Sequence, residues 1–105
     1  LDGPYFVAQD PAAAGMTLYY ADSPSHDGGF DRIRDVQRAG FTKDFIFAQS
    51  GGKYFYIKRA ADRLSDLNDP AVLQAISPAM TAAGFKNFLR KQGLQGFTFQ
   101  YSAND

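Results

Sequence analysis

Cysteine is absent from the 105-residue sequence. Disulfide frameworks, Cys-ligated zinc and thiol catalysis are therefore excluded. The compartment stays open, because cytosolic and envelope domains alike can lack the residue. Glutamate is absent too, and all 11 acidic residues are aspartate, a choice that favours loops and caps over helix surfaces. One histidine, His26, leaves no partner for a two-imidazole metal site. No apolar run approaches the roughly 18 residues of a membrane-spanning helix, so no direct membrane insertion is expected. Charge of one sign is lacking as well: 11 basic residues balance 11 acidic ones. Bulk electrostatics therefore give no pull towards nucleic acid, and no nucleic-acid partner is expected.

What is present is apolar and aromatic. Hydrophobic residues make up 45% of the chain and aromatics 15%, enough to build one core in a chain of this length. A single domain over residues 1–105 is expected. The first residue is Leu1 and not methionine, which suggests a processed form or a domain excised from a longer protein.

The strongest local signal is Thr42–Arg59. Two apolar runs flank Gly51-Gly52, and paired glycines supply the positive φ angles of a two-residue hairpin turn. That turn sets the register: Ser50 opposite Lys53, Gln49 opposite Tyr54, Phe47 opposite Tyr56, Phe45 opposite Lys58. On the other face Ala48 meets Phe55, Ile46 meets Ile57, and Asp44 meets Arg59 as a cross-strand ion pair. The Ile46, Phe55 and Ile57 side reads as core. The side with Phe45, Phe47, Tyr54 and Tyr56, set among Gln49 and Lys58, has two readings. A helix covers it and the aromatics are core, or it is an open platform that asks for a ligand.

Around the hairpin, Tyr5–Ala8 and Met16–Ala21 read as strands, and PAAAG (residues 11–15) and Asp22–Gly29 as loops. Phe30–Ala39 reads as a helix, with Phe30, Ile33 and Val36 as its stripe and Gly40 as its C-terminal cap. Ala60–Asn68 is ambiguous, with Leu64 and Leu67 in either a helical turn or a packed loop. Asp69-Pro70 starts a helix, with Asp as N-cap and Pro at the first position, ending near Ile76. Ser77-Pro78 repeats that chemistry and suggests a second start. Phe85, Phe88 and Leu89 fit helical spacing, with Gly93 as a cap; the competing reading is a strand over Phe85–Arg90. Phe97–Ser102 alternates as a last strand, and residues 103–105 form a tail. A faint echo links Ala39-Gly40-Phe41 to Ala83-Gly84-Phe85.

The segments AGFTKDFIFAQSGGKYFYIKR (Ala39–Arg59) and AAGFKNFLR (Ala82–Arg90) together resemble a SPOR domain. The resemblance covers about Met16–Arg90. It implies a βαββαβ fold with two similar halves that binds peptidoglycan glycan strands stripped of stem peptides, through the sheet face. The extra N-terminal strand, the long 60–69 connection and the strand at Phe97–Ser102 depart from that pattern. No family residue occupies a fixed motif, so none is carried over.

Catalytic constellations are weak. His26 sits among Asp22, Ser23, Ser25 and Asp27 in one contiguous loop, where a solvated turn explains it better than a hydrolase or metal site does. Asp62, Asp66 and Asp69 beside Arg59 and Arg63 read as a solvated face with local ion pairs. Lys86, Arg90 and Lys91 form a basic helix face, either solvated or a dock for an acidic partner. Gly28-Gly29 lacks a phosphate-loop pattern.

These observations lead to an α+β fold with a mostly antiparallel sheet of four or five strands and two or three helices packed on one face. They favour a non-catalytic binding module, without cofactor or metal, of a periplasmic or extracellular protein. Its ligand residues would be Tyr54, Tyr56, Phe47, Gln49 and Lys58, and its partner a glycan strand. The competing role is a protein-interaction domain, such as an inhibitor or immunity-type protein that blocks a partner protein.

Overall fold

The computed structural model describes residues 3–9, 15–21, 30–63 and 65–102. The fold is α+β. Among the described residues seven strands run in chain order, β1 (Tyr5–Gln9), β2 (Met16–Tyr20), β3 (Phe30–Ile33), β4 (Val36–Phe41), β5 (Phe45–Ser50), β6 (Lys53–Lys58) and β7 (Tyr101–Ser102). Two helices, α1 (Pro70–Ala75) and α2 (Ala82–Lys91), lie between β6 and β7. The strands form two antiparallel sheets and not one: a three-stranded sheet ordered β1-β2-β3 and a four-stranded sheet ordered β6-β5-β4-β7.

The β5–β6 hairpin has the register read from sequence, from Phe45–Lys58 through Ile46–Ile57 to Ser50–Lys53. Gly51 (φ 58°) and Gly52 (φ 77°) both take the left-handed conformation, which only glycine adopts without strain. At the open end the backbone N–H of Arg59 donates to the Asp44 carbonyl at 3.0 Å. The Arg59 guanidinium donates to the Thr42 carbonyl at 2.8 Å, so Asp44 meets Arg59 through its backbone and not as the expected ion pair.

The four-stranded sheet is the middle layer. On one side Ala39, Ile46, Ala48 and Ile57 pack with Tyr5, Leu18 and Ile33 of the three-stranded sheet and with Ala75 of α1. On the other, Phe47 packs with Phe85 and Leu89 of α2, joined by Phe45, Tyr54, Tyr56, Phe97 and Phe99. The helices are thus divided between the two faces instead of sharing one.

The expected helix over Phe30–Ala39 is two strands. Asp35 has φ 52°, a left-handed bend that aspartate tolerates better than most side chains. That bend carries the chain from one sheet to the other and restarts the alternation. Ile33 and Val36 are consequently both buried, and their three-residue spacing imitates a helical stripe. Gly40 lies in β4, not at a helix end. A Cβ there would stand 2.6 Å from Cζ of Phe97, so glycine permits that ring to approach the strand.

Asp69 caps α1 as expected, its Oδ1 accepting from the Ala71 N–H at 2.9 Å. The second start at Ser77-Pro78 does not form. Residues 76–80 instead run beside the outer edge of β6: Ser77 N–H donates to the Tyr56 carbonyl at 2.9 Å and Met80 N–H to the Tyr54 carbonyl at 2.8 Å. An exposed strand edge is thereby closed. Thr81 is the true N-cap of α2, accepting from Gly84 N–H at 3.1 Å. Residues 85–91 are helical, and Gly93 (φ 70°) follows the helix end. Ala39-Gly40-Phe41 therefore lies in a strand and Ala83-Gly84-Phe85 in a helix, so their echo is not a structural repeat.

Only Tyr101 and Ser102 of the expected last strand pair with β4. Ahead of them the Gln100 side chain replaces a ladder bond, its Oε1 accepting from Phe41 N–H at 2.9 Å. Phe97 and Phe99 join the α2 side while Tyr101 packs on the opposite face. The loop with His26, most of the 11–15 loop, Leu64 and the 103–105 tail lie outside the described residues. Among the described residues no helix is long and apolar enough to cross a membrane.

A candidate binding groove beside the second helix

Helix α2 lies on the aromatic hairpin face because its own apolar residues recur at helical spacing. Phe85 and Leu89 are buried and Phe88 half-buried. Each hairpin tyrosine meets a helix ring flat on. Tyr54 stacks on Phe85 at 4.7 Å with planes 11° apart, and Tyr56 on Phe88 at 4.4 Å and 13°. Offset contacts of this kind add about 0.5–1.5 kcal/mol each beyond area burial.

Of the five residues expected to meet a ligand, Phe47 has no exposed surface. Its ring lies 5.4 Å from Phe85 and 4.8 Å from Phe97. It is core, because α2 and the 97–99 segment both close over it. Tyr56 has one face taken by Phe88, and its backbone is tied to Ser77. Lys58 is exposed at the open end of the hairpin. Tyr54 and Gln49 alone converge, and they do so on Arg38 of β4. Arg38 Nε donates to Gln49 Oε1 at 2.6 Å, and Arg38 Nη2 donates to the Tyr54 hydroxyl at 3.2 Å.

Arg38 opens onto a groove of about 330 Å³ between α2 and the segment after it. Tyr54, Phe85, Phe97 and Phe99 give it an apolar wall, with Lys86 and Gln95 also lining it. The Arg38 guanidinium lies 4.6 Å over the Phe99 ring. Sequence reasoning missed Arg38, Phe97 and Phe99 as site residues. The sequence pattern puts Arg38 near a helix end and the two phenylalanines in a regular strand. The usable signal was the basic character of α2, which already pointed to this side of the molecule.

Among the described residues the lining contains no carboxylate, imidazole or thiol. It offers stacking surface, amide and hydroxyl groups and two cations, a set suited to holding a ligand. Among the described residues no group of three His or Asp side chains is placed to hold a metal ion.

Among the described residues the most deeply buried charges lie elsewhere, on the other side of the middle layer. Arg32 and Asp62 pair at 3.0 Å with no side-chain exposure on either. The Tyr5 hydroxyl donates to Asp62 Oδ2 at 2.7 Å, and Arg32 Nη2 donates to the Arg63 carbonyl at 2.7 Å. Burial pushes the Tyr5 hydroxyl pKa far above the usual phenol range, and the Asp62 hydrogen bond adds to that. Asp62 is thus not part of a solvated face. It clamps the turn after β6 to the three-stranded sheet.

Compared with protein-family models, curated proteins and solved structures, the chain matches none.

Proposed function

We propose that this chain is a non-catalytic binding module of a secreted or cell-envelope protein, and that it holds a glycan strand in the groove beside α2. The observation that carries the reading is the groove itself: about 330 Å³, walled by aromatic rings and edged by hydrogen-bonding side chains. Sugar rings present apolar faces and dense hydroxyls, which such a lining meets with stacking and hydrogen bonds. The resemblance of Ala39–Arg59 and Ala82–Arg90 to SPOR segments names peptidoglycan glycan as the first ligand to try, although the element order, with six strands before both helices, is not the βαββαβ order that the resemblance implies. Titration with purified peptidoglycan glycan strands tests the reading. Binding is expected for the wild type, and Phe99→Ala should weaken it about tenfold by removing a stacking surface. Absence of wild-type binding would rule out the glycan reading, and undiminished binding by Phe99→Ala would place the ligand outside the groove.

A second reading is supported by the exposed cations Lys86, Arg90 and Lys91 on α2. They suit a protein-interaction domain that meets an acidic partner surface. Loss of partner capture on reversing these three charges, with Phe99→Ala neutral, would favour it.

A further inference from the structure

Arg38 is already oriented, yet its partners among the described residues are all neutral. Its contacts are Gln49 Oε1, the Tyr54 hydroxyl and the face of Phe99. Other arginines meet aspartates: Arg32 with Asp62, Arg34 with Asp31, Arg63 with Asp69. No carboxylate pairs with Arg38 among the described residues, and its Nη1 has no hydrogen-bond partner among them. Arg38 is half-buried, and a cation drawn out of water is stabilised best by an opposite charge. Lys86 lines the same groove, and among the described residues no aspartate does. The chain from Pro70 to Ser102, which builds α2 and the far wall, carries Lys86, Arg90 and Lys91 and no acidic residue. The stretch that builds this wall is therefore purely basic.

Resting on the glycan reading, we infer that the groove selects an acidic glycan, one whose sugars carry a carboxylate, and that Arg38 is the residue that selects it. With Nε and one Nη2 proton engaged, the guanidinium keeps an Nη1/Nη2 edge for a carboxylate. That edge makes two parallel hydrogen bonds with fixed geometry. Lys86 adds a point charge beside it. The aromatic wall receives the apolar part of the sugar, so affinity and charge selection come from different residues of one groove.

Two glycans of equal length separate these contributions. Peptidoglycan strands freed of stem peptides carry a lactyl carboxylate on alternate sugars. Chitooligosaccharides have the same β-1,4-linked amino-sugar backbone without it. Calorimetric titration should give the acidic strand about tenfold higher affinity, the scale of a charge-assisted pair. The gap should narrow as salt rises. Arg38→Gln should bring the acidic strand down to the chitooligosaccharide level, and Arg38→Lys should restore part of the gap, since it keeps charge without the fork. Lys86 is exposed, so Lys86→Gln leaves folding intact and should narrow the gap even if Arg38→Gln unfolds. Equal wild-type affinity for both glycans would overturn charge selection while leaving glycan binding in place. Binding of neither would overturn both. Tighter binding of an oligo-aspartate peptide than of the acidic strand would assign the groove to an acidic protein partner and overturn the inference.

Discussion

Asp62 is the residue on which most depends. Its carboxylate accepts from Tyr5, pairs with Arg32 and also accepts from its neighbour's N–H, Arg63, at 2.9 Å. Removing one member of a buried pair leaves the other charge uncompensated, which costs about 3–5 kcal/mol. Asp62→Ala should lower the unfolding free energy by that amount in urea denaturation. The double variant Arg32→Met/Asp62→Leu should be less destabilised than Asp62→Ala, because no orphan charge remains. A double variant worse than the single would show that the pair contributes net stability of its own. None of this was legible locally. Asp62 lies in a stretch rich in Arg and Asp, where solvated pairs are the ordinary outcome, and its burial depends on Tyr5 and Arg32 arriving from distant strands. Arg38 escaped notice for the same reason. Its meaning comes from Gln49, Tyr54 and Phe99, which only the folded chain assembles.

At the scale of elements, legibility followed local cause. The β5–β6 hairpin could be read to the residue because period-two alternation and a two-glycine turn agree. Helix α1 could be read because Asp69-Pro70 fixes its start chemically. The 30–41 segment could not, because one left-handed aspartate reset the alternation and produced a false helical stripe. The cap of α1 also has a pH signature. The Ala71 N–H hydrogen bond to Asp69 holds that carboxyl below its ordinary value of 3.8. A lowered folded-state pKa means the contribution is complete above the unfolded pKa and lost as pH falls through the folded one. Asp69→Asn keeps the acceptor without the charge. The wild type should therefore lose stability relative to Asp69→Asn as pH drops below about 4. Urea midpoints of the two proteins measured across that range check this, and parallel curves would remove Asp69 as the source.

For the molecule as a whole, the middle sheet is the decisive layer. Ile46, Phe47 and Ala48 are consecutive in β5 and all without exposed surface, since both faces of their strand are covered. Their amides should exchange with deuterium most slowly, at rates set by global unfolding, with β1 and β7 exchanging sooner. Comparable protection of β5 and β1 would mean that the two sheets do not differ in local stability. The alternation and helical spacing of the sequence foretold an α+β fold. They did not foretell the division into two sheets, because a strand that switches layers leaves no periodic mark.

The joining of β4 to the end of the chain has a kinetic meaning. Strands β4, β5 and β6 are consecutive, so their contacts close short loops and form early. The Phe41–Gln100 hydrogen bond joins residues 59 positions apart, and the wall containing Phe97 and Phe99 arrives with it. The groove therefore exists only once the last segment has docked. A ligand held there binds the finished fold alone, and by mass action it draws the final step of folding to completion.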